Sequence, residues 1–192
     1  MASQYNTTIP LNKAQAQPFP LPVYEREFEQ QKLQNLAYAS YVGLITCLSW
    51  NLFAVTCLWI LEGSDYITLI LAIALLFLGA PTAYATWYRN LSLAFREEEG
   101  ENGSKLYQVF LVYYFLQIAF CFYASMNFHG RYITGISTAV DVYLDNNNLM
   151  IGIFYLIGSV LFYLELLLSF WVLIRVKAYY SRRQVGLSSV GI

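Results

Sequence analysis

Charged residues are scarce in this sequence of 192 residues, because Asp, Glu, Lys and Arg together make up only 12% of it. An average soluble domain contains about twice that share. Hydrophobic residues reach 58% and aromatic residues 18%. This composition argues against a soluble globular protein and favours a membrane protein.

Histidine and cysteine are also rare, with one and three residues. A single histidine excludes a His-based metal cluster and a His-linked nucleophile, and neither a phosphate-binding glycine loop nor a basic nucleic-acid face is present. We therefore expect no enzymatic activity, no cofactor, no metal site and no nucleic-acid partner. The cysteines, Cys47, Cys57 and Cys121, fall in apolar stretches and predict no disulfide framework.

Four apolar stretches approach or exceed the roughly 20 residues that a helix needs to cross a hydrocarbon core. They cover about residues 36–61, 66–84, 106–126 and 149–174. Because lipid cannot satisfy backbone polar groups, each stretch should be a helix with its own internal hydrogen bonds. The sequence thus predicts an all-α integral membrane protein with a four-helix transmembrane domain over residues 36–174.

Polar segments flank this domain on both sides. Residues 1–35 are predicted to be a cytoplasmic segment with a Pro-rich stretch at 18–22 and a helix-compatible run at 24–36. The Pro-rich stretch is a stiff spacer, a segment that lies against the protein's own surface, or a ligand for an adaptor. A first apolar stretch so far from the start does not resemble a cleavable signal peptide, so we expect a permanent anchor. Residues 175–192 are predicted to be a short cytoplasmic tail.

The basic residues predict the orientation. Of the 11 lysines and arginines, only Arg131 falls between helices 1 and 2 or between helices 3 and 4. The positive-inside rule then places both termini and the connection between helices 2 and 3 in the cytoplasm. Three glycosylation sequons, at Asn6, Asn90 and Asn102, lie on that same side and are expected to carry no glycan.

The sequence TWYRNLSLAFREEE at residues 86–99 predicts an amphipathic interfacial segment between helices 2 and 3. Arg89 and Arg96 fall together on one side of a helical wheel, and all apolar residues except Leu93 share an arc of about 120° on the other. These apolar residues are Trp87, Tyr88, Leu91, Ala94 and Phe95. In this interpretation the rings lie at the interface and the arginines reach anionic lipid. In the alternative, Trp87 and Tyr88 belong to the aromatic belt of helix 2 and the arginines only determine topology.

Polar residues within the apolar stretches are expected to face other helices, because they are costly in hydrocarbon. They are Asn51, Gln117 and Glu165. Gln117 and Glu165 are predicted at a similar depth, so a protonated Glu165 would bond Gln117 or a hydroxyl and hold helix 4 in the bundle. A proton or cation relay is the functional alternative. Gly79 and Pro81 predict either a kink near the cytoplasmic end of helix 2 or a simple helix stop.

The long connection between helices 3 and 4, RYITGISTAVDVYLDNNN at residues 131–148, is moderately apolar. It is predicted to lie on the outer surface as a lid over the bundle. The single His129 is predicted to be an exposed loop residue.

Several short motifs carry a family resemblance over about residues 79–183. WYRNLSLAFR resembles the W-Y-R-x-x-x-x-A-F-R segment that joins membrane helices 2 and 3 of secretory carrier-associated membrane proteins (SCAMPs). GAPTAYATWYR, LQIAF, GIST with DNNNL, and RVKAYYSRR are similar to further stretches of that family. The sequence lacks the Asn-Pro-Phe repeat of longer members and is similar to the short members, so we do not expect the adaptor partnership of that repeat. The family usually has no acid at the position of Glu165.

The resemblance implies a non-enzymatic protein of vesicle recycling, endocytosis and exocytosis, resident in post-Golgi vesicles, recycling endosomes or the plasma membrane. It further implies that the segment after helix 2 binds anionic phosphoinositides. Trp87, Tyr88 and Phe95 would then be a membrane wedge, and Arg89 and Arg96 would clamp lipid. Trafficking or membrane-complex proteins are expected partners, and an oligomer is possible in principle. Two other hypotheses remain open, an accessory subunit of a larger membrane complex and a small channel or transporter that uses Glu165.

Overall fold

The computed structural model describes residues 23–63, 65–97, 101–127, 130–146 and 149–190. The Pro-rich stretch at 18–22 and His129 lie outside these ranges, so the predictions made for them stay predictions.

The described chain is helical almost throughout. Its six α-helices are α1 (Val23–Glu62), α2 (Tyr66–Ala83), α3 (Arg89–Arg96), α4 (Glu101–Met126), α5 (Ile136–Asn146) and α6 (Leu149–Val190). A π-helical turn, Tyr84–Tyr88, joins α2 to α3. The described ranges contain no β-strand.

Four helical stretches are long and apolar enough to cross a membrane. They are Arg26–Leu61, Tyr66–Arg96, Asn102–Met126 and Leu149–Arg182. The predicted all-α fold with four membrane-spanning helices is thereby confirmed. Helices α1 and α6 are longer than the predicted apolar stretches, because hydropathy reports the lipid-compatible part of a helix and helical structure continues into its polar flanks.

The second span continues without interruption into the amphipathic segment. The backbone N–H of Arg89 donates to the carbonyl of Tyr84, the five-residue spacing of a π-helix. Pro81 lies inside α2, so the helix does not stop at this residue. Buried Ala83, Trp87 and Leu91 recur every four residues through the turn. One buried face therefore runs from α2 through the π-turn into α3.

The helices pack into two apolar clusters stacked along the bundle. Helix α1 packs against α2 and α6, and α4 packs against α3 and α6. The larger cluster includes Leu44, Trp87 and Phe162. The smaller one joins α1, α2, α5 and α6, and its members are Ala54, Val55, Leu58, Ala72, Ala139, Val142, Ile151 and Tyr155. Large apolar side chains that remain exposed, such as Phe77 and Phe115, lie on the spans, where lipid would cover them.

The connection between α4 and α6 differs from the predicted surface lid. It contains helix α5, which packs against α6. Ile133, Thr134 and Gly135, just ahead of α5, are buried. Apolar residues such as Ala139 and Val142 bury one face of α5 in the smaller cluster, which draws this connection into the bundle.

Candidate functional site

Most of the described cations lie at one end of the bundle, which we call the basic end. They are Arg26, Lys32, Arg89, Arg96, Lys105, Arg175, Lys177 and Arg182, and all are exposed. Side-chain hydrogen bonds join the helices there. Gln30 Nε2 donates to Tyr179 Oη at 2.9 Å, and Gln34 Nε2 donates to Ser92 Oγ at 3.3 Å. Arg131 is the one cation described at the opposite end.

Trp87, at the start of the amphipathic segment, is enclosed by other helices and is only 1% exposed. Its Nε1–H donates to Gln117 Oε1 on α4 at 3.2 Å. Its ring meets the Tyr114 ring edge-on, with 4.8 Å between centroids. A buried indole needs a partner for its N–H, and Gln117 provides one. Trp87 therefore fixes the π-turn against α4.

Phe95 fixes the far end of the segment in a similar way. Its ring stacks on Tyr180 of α6 with 6.1 Å between centroids, and Tyr180 stacks on Tyr107 of α4 at 3.8 Å. Leu91 and Ala94 fill the space between Trp87 and Phe95 and are buried as well. The apolar face of α3 is thus covered by protein.

Tyr88 belongs to a partly exposed cluster of four tyrosines from α1 and the π-turn. Its ring lies 5.6 Å from Tyr41, 5.6 Å from Tyr84 and 6.1 Å from Tyr38, measured between centroids. Tyrosine combines an apolar ring with a polar tip and is enriched where a membrane meets water. Among the three predicted ring residues, Tyr88 is the one that reaches the surface.

Arg89 and Arg96 are exposed on the side of the segment away from its buried face. The helical wheel therefore identified the two faces of α3. Trp87 and Phe95 were expected to insert into lipid. In the structure both rings pack against neighbouring helices instead. Lipid binding by this segment stays a prediction, and the two arginines and Tyr88 are the residues placed to make it.

Glu165 lies in a buried cluster of hydroxyl groups between α1, α4 and α6. Ser40 Oγ donates to Glu165 Oε1 at 2.6 Å, and Ser169 Oγ donates to the same oxygen at 3.1 Å. Tyr114 Oη lies 3.1 Å from Ser40 Oγ. The other carboxyl oxygen occupies the space where a side chain at Gly43 would be. Glu165 thus joins helices through hydroxyl groups, one of the partners predicted for it.

Gln117 does not pair with Glu165, the other predicted partner. Its Oε1 accepts from Trp87, and its Nε2 has no hydrogen-bond partner among the described residues. Sequence reasoning missed the pair of Trp87 and Gln117 because Trp87 was assigned to the interface. The available signal was the indole N–H itself, which needs an acceptor wherever the ring is buried.

Asn51 binds backbone groups in the half of the bundle that lies away from the basic end. Its Nδ2 donates to the carbonyl of Tyr132 at 3.0 Å, and its Oδ1 accepts from the backbone N–H of Thr134 at 2.8 Å. Asn51 is fully buried and faces protein, so it meets the requirement for a polar side chain in a membrane span.

Gly79 and Pro81 have different positions on α2. A Cβ added at Gly79 would lie 3.2 Å from Leu48 Cδ1, so Gly79 allows α1 and α2 to approach closely. Pro81 is exposed and lies inside the helix, three residues before the π-turn. A proline removes one backbone donor from a helix, and a local π-helical turn is one way for the chain to adjust.

An open apolar groove of about 430 Å³ lies between α4 and α6. Its lining residues are Leu111, Val112, Phe115, Leu116, Leu173 and Lys177. The lining is aliphatic and aromatic except for Lys177, a cation of the basic end. Among the described residues, no group of histidines, cysteines and acids is arranged to hold a metal ion.

The sequence of this chain is similar to those of one known family. The sequence profile of the SCAMP family matches residues 25–183. The chain belongs to the SCAMP family. It is 38% identical over 185 residues to "Secretory carrier-associated membrane protein 6" of Oryza sativa subsp. japonica. This match covers 91% of this chain and 65% of the rice protein.

Two further SCAMP relatives show comparable similarity over 154 residues. "Secretory carrier-associated membrane protein 5" of the same rice is 41% identical, and "Secretory carrier-associated membrane protein 1" of Arabidopsis thaliana is 40% identical. Each match covers 78% of this chain and 52% of the relative. The chain therefore spans about half to two thirds of the length of these relatives. No solved structure matches it significantly.

Proposed function

We propose that this SCAMP-family protein is a non-enzymatic vesicle-trafficking protein whose basic end binds anionic lipid of the cytoplasmic leaflet. The observation that carries the proposal is the placement of Arg89 and Arg96. Both are exposed on a short helix whose opposite face, Leu91, Ala94 and Phe95, is buried in the bundle. The arginines are thus presented from a fixed support.

The proposed orientation rests on the distribution of cations. Eight described cations lie at the basic end, and Arg131 is the one described at the other. Because positive residues are retained in the cytoplasm, this arrangement favours cytoplasmic termini and a cytoplasmic connection between the second and third spans.

A fixed backbone under the two arginines favours lipid recognition, because the backbone loses no conformational entropy when they bind. An arginine near an anionic bilayer surface contributes about 1 kcal/mol of attraction. Arg89 and Arg96 together would then contribute about 2 kcal/mol, or roughly a thirtyfold preference for anionic over neutral lipid. In this mechanism Trp87 and Phe95 position α3 from inside the protein instead of acting as a wedge in lipid.

The groove between α4 and α6 supports the same lipid chemistry. Its apolar wall suits an acyl chain, and the exposed Lys177 suits an anionic headgroup at the basic end. A phosphoinositide, which carries several negative charges, would be favoured over a lipid with one charge.

The cellular setting is a further part of the proposal. The relatives are named secretory carrier-associated membrane proteins, which supports a role in membrane trafficking. The proposed location is post-Golgi vesicles, recycling endosomes or the plasma membrane, and the proposed pathways are exocytosis and endocytosis. Other trafficking proteins are the proposed protein partners.

The channel hypothesis has less support from the geometry. Glu165 contacts Ser40, whereas Asn51 lies about 11 residues, or roughly 16 Å, further along α1. Both polar side chains are enclosed by protein partners. They therefore act as separate contacts between packed elements, and no described feature joins them into one path.

Lipid selectivity of the full-length protein tests the proposal. Purified protein would be equilibrated in mixed nanodiscs of phosphatidylcholine and a phosphoinositide, and the lipids retained in mild detergent would be counted by native mass spectrometry. We expect phosphoinositide enrichment that falls at least tenfold in the Arg89→Ala, Arg96→Ala variant and weakens with salt.

Two matched controls make the outcome specific. The Arg89→Lys, Arg96→Lys variant keeps both charges and should retain most of the enrichment. Arg131→Ala removes a cation from the opposite end and should leave it unchanged. Equal enrichment in the wild type and the double alanine variant would refute the lipid-binding role of this segment.

A further inference from the structure

The connection between α4 and α6 lies far inside the bundle. Thr134 packs against Gly158 of α6, where there is no room for a Cβ. Its backbone N–H donates to Asn51 of α1. Helix α1 continues about 11 residues beyond Asn51 and α6 begins about nine residues before Gly158, which is roughly 14–16 Å along each axis. Thr134 is therefore about half of a 30 Å hydrocarbon thickness below the helix ends.

The helix turns beyond this level still present apolar side chains to the outside. On α1 these include Ile60, which is 66% exposed, and on α6 they include Met150, which is 65% exposed. Further exposed members of the same surface are Phe53, Trp59, Leu61, Leu149 and Ile153. Such a surface is suited to lipid, so the hydrocarbon region extends past the level of Thr134.

Irregular backbone at this depth needs partners from the protein, because lipid provides none. Side chains supply them. Asn127 Nδ2 donates to the carbonyls of Gly130 and Ile133, each at 2.8 Å. Tyr155 Oη donates to the carbonyl of Arg131 at 2.7 Å. Asn51 adds its bond to the carbonyl of Tyr132 at 3.0 Å. The backbone carbonyl of each residue from Gly130 to Ile133 thereby accepts a hydrogen bond from a side chain.

Helix α5 then runs beside the first turns of α6. Gly152 of α6 permits this approach, because a Cβ there would lie 3.3 Å from Tyr143 Cβ and 3.7 Å from the carbonyl oxygen of Ala139. Tyr143 and Ala139 are one turn apart on α5, on either side of Gly152. Together with the contact between Thr134 and Gly158, this places α5 antiparallel to α6 and ascending from the level of Thr134.

One side of α5 is largely exposed in the part of the chain that the structure describes. Its exposed apolar residues are Ile136, Val140, Tyr143 and Leu144, which share a face by helical spacing. Leu144 is 68% exposed. The exposed Asp141 lies about 100° around the helix from Val140, at the margin of this face. Arg131, just ahead of α5, and Asp145, within it, are further charges of this segment. Charges suit a segment whose helix rises toward the outer surface of a leaflet better than one that stays at the bilayer centre.

We infer that residues 130–146 form a re-entrant segment embedded in the leaflet opposite the basic end, with the exposed apolar face of α5 in contact with lipid acyl chains. The face continues the exposed surface of Leu149, Met150 and Ile153 on α6. Lipid is the occupant because this neighbouring surface belongs to a membrane span. The inference is independent of lipid binding at the basic end.

Depth measurements on the full chain in nanodiscs test this inference. Cys47, Cys57 and Cys121 would be replaced by alanine, and a nitroxide would be attached to a single cysteine introduced as Val140→Cys or Leu144→Cys. Ile153→Cys on α6 is the lipid-facing reference, and Asp65→Cys in the connection between α1 and α2 is the aqueous reference. Relaxation by oxygen reports lipid, and relaxation by a water-soluble nickel chelate reports water.

We expect the labels at Val140 and Leu144 to behave like the label at Ile153, with oxygen the stronger relaxer. Labels that behave like the one at Asp65 would overturn the inference. A second variant, Asn51→Leu, removes both side-chain bonds to the loop and should shift the Val140 label toward nickel accessibility. Ser49→Leu, at an exposed position of the same helix, should not. An unchanged Val140 label in a folded Asn51→Leu protein would overturn the role of Asn51 in holding the segment.

Discussion

The carboxyl group of Glu165 on α6 occupies the space that a side chain at Gly43 on α1 would fill. The two helices approach closely at this point, and Ser40, one turn before Gly43, donates a hydrogen bond to the same carboxyl group. A small residue at the contact and a polar group beside it are typical of helix pairs in membranes. The acid that the family resemblance leaves unexplained is thus a packing contact between the first and the last span.

Replacement of Gly43 tests this contact. Gly43→Ala places a methyl group on the Glu165 carboxyl and should destabilise the protein by about 1–3 kcal/mol, the usual cost of overpacking. Gly79→Ala, at the close contact of α1 with α2, should cost less, because its Cβ would meet the free end of Leu48 at 3.2 Å, whereas hydrogen bonds hold the Glu165 carboxyl in place. Thermal unfolding in detergent would measure both variants. Equal stability of wild type and Gly43→Ala would contradict the close contact.

The polar bonds of Glu165 make a separate prediction. Glu165→Gln keeps the size of the side chain and an acceptor oxygen, so its stability should lie within about 1 kcal/mol of the wild type. Glu165→Leu leaves the hydroxyls of Ser40 and Ser169 without this acceptor and should cost about 1–3 kcal/mol. The same unfolding measurement distinguishes the two. A Gln variant as unstable as the Leu variant would show that the charge, and not the hydrogen bonds, is required.

Trp87 and Gln117 should behave as a coupled pair. Gln117→Leu leaves the buried indole N–H without its acceptor and should cost about 1–3 kcal/mol. Trp87→Phe added to Gln117→Leu removes the unsatisfied donor, so the double variant should lose less than the sum of the single variants. A double-mutant cycle measures the difference. Strict additivity would mean that the 3.2 Å bond contributes nothing.

The sequons provide a test of the proposed orientation. Asn6, Asn90 and Asn102 should carry no glycan. When the protein is expressed in eukaryotic cells, which glycosylate lumenal sequons, glycosidase treatment should therefore leave its mass unchanged. Asn90 has an additional reason, since its amide donates to the carbonyl of Thr86 within the helix. A glycan on Asn6 or Asn102 would place the basic end in the lumen and invert the orientation.

Much of the fold was predictable because lipid imposes few options on the chain. Long apolar stretches must be helices, and their number and rough limits follow from length alone. The continuation of α2 into α3 was not predictable in this way. Arg89 and the polar residues after it suggested an exit from the membrane, whereas the helix continues and buries Leu91 and Phe95.

The environment of the apolar face was the main error in the predicted site. A helical wheel separates Trp87 from Arg89, but the same apolar arc suits lipid and protein equally well. The burial of Trp87 depends on α4, whose register relative to α3 cannot be read from either sequence segment. The connection after α4 was mistaken for a similar reason, because the partners of its backbone, such as Asn51 and Tyr155, are distant in sequence.

The π-helical turn makes α2 and α3 a single rod with very different surroundings at its two parts. In α2 only Ala72 and Ala83 are buried, whereas α3 buries three of its eight residues and ends at Arg96. A bilayer that thins or bends acts first on the least shielded helix. The buried face of α3 would resist a tilt imposed on α2, so the arginines would keep their place while the membrane around the second span changes thickness.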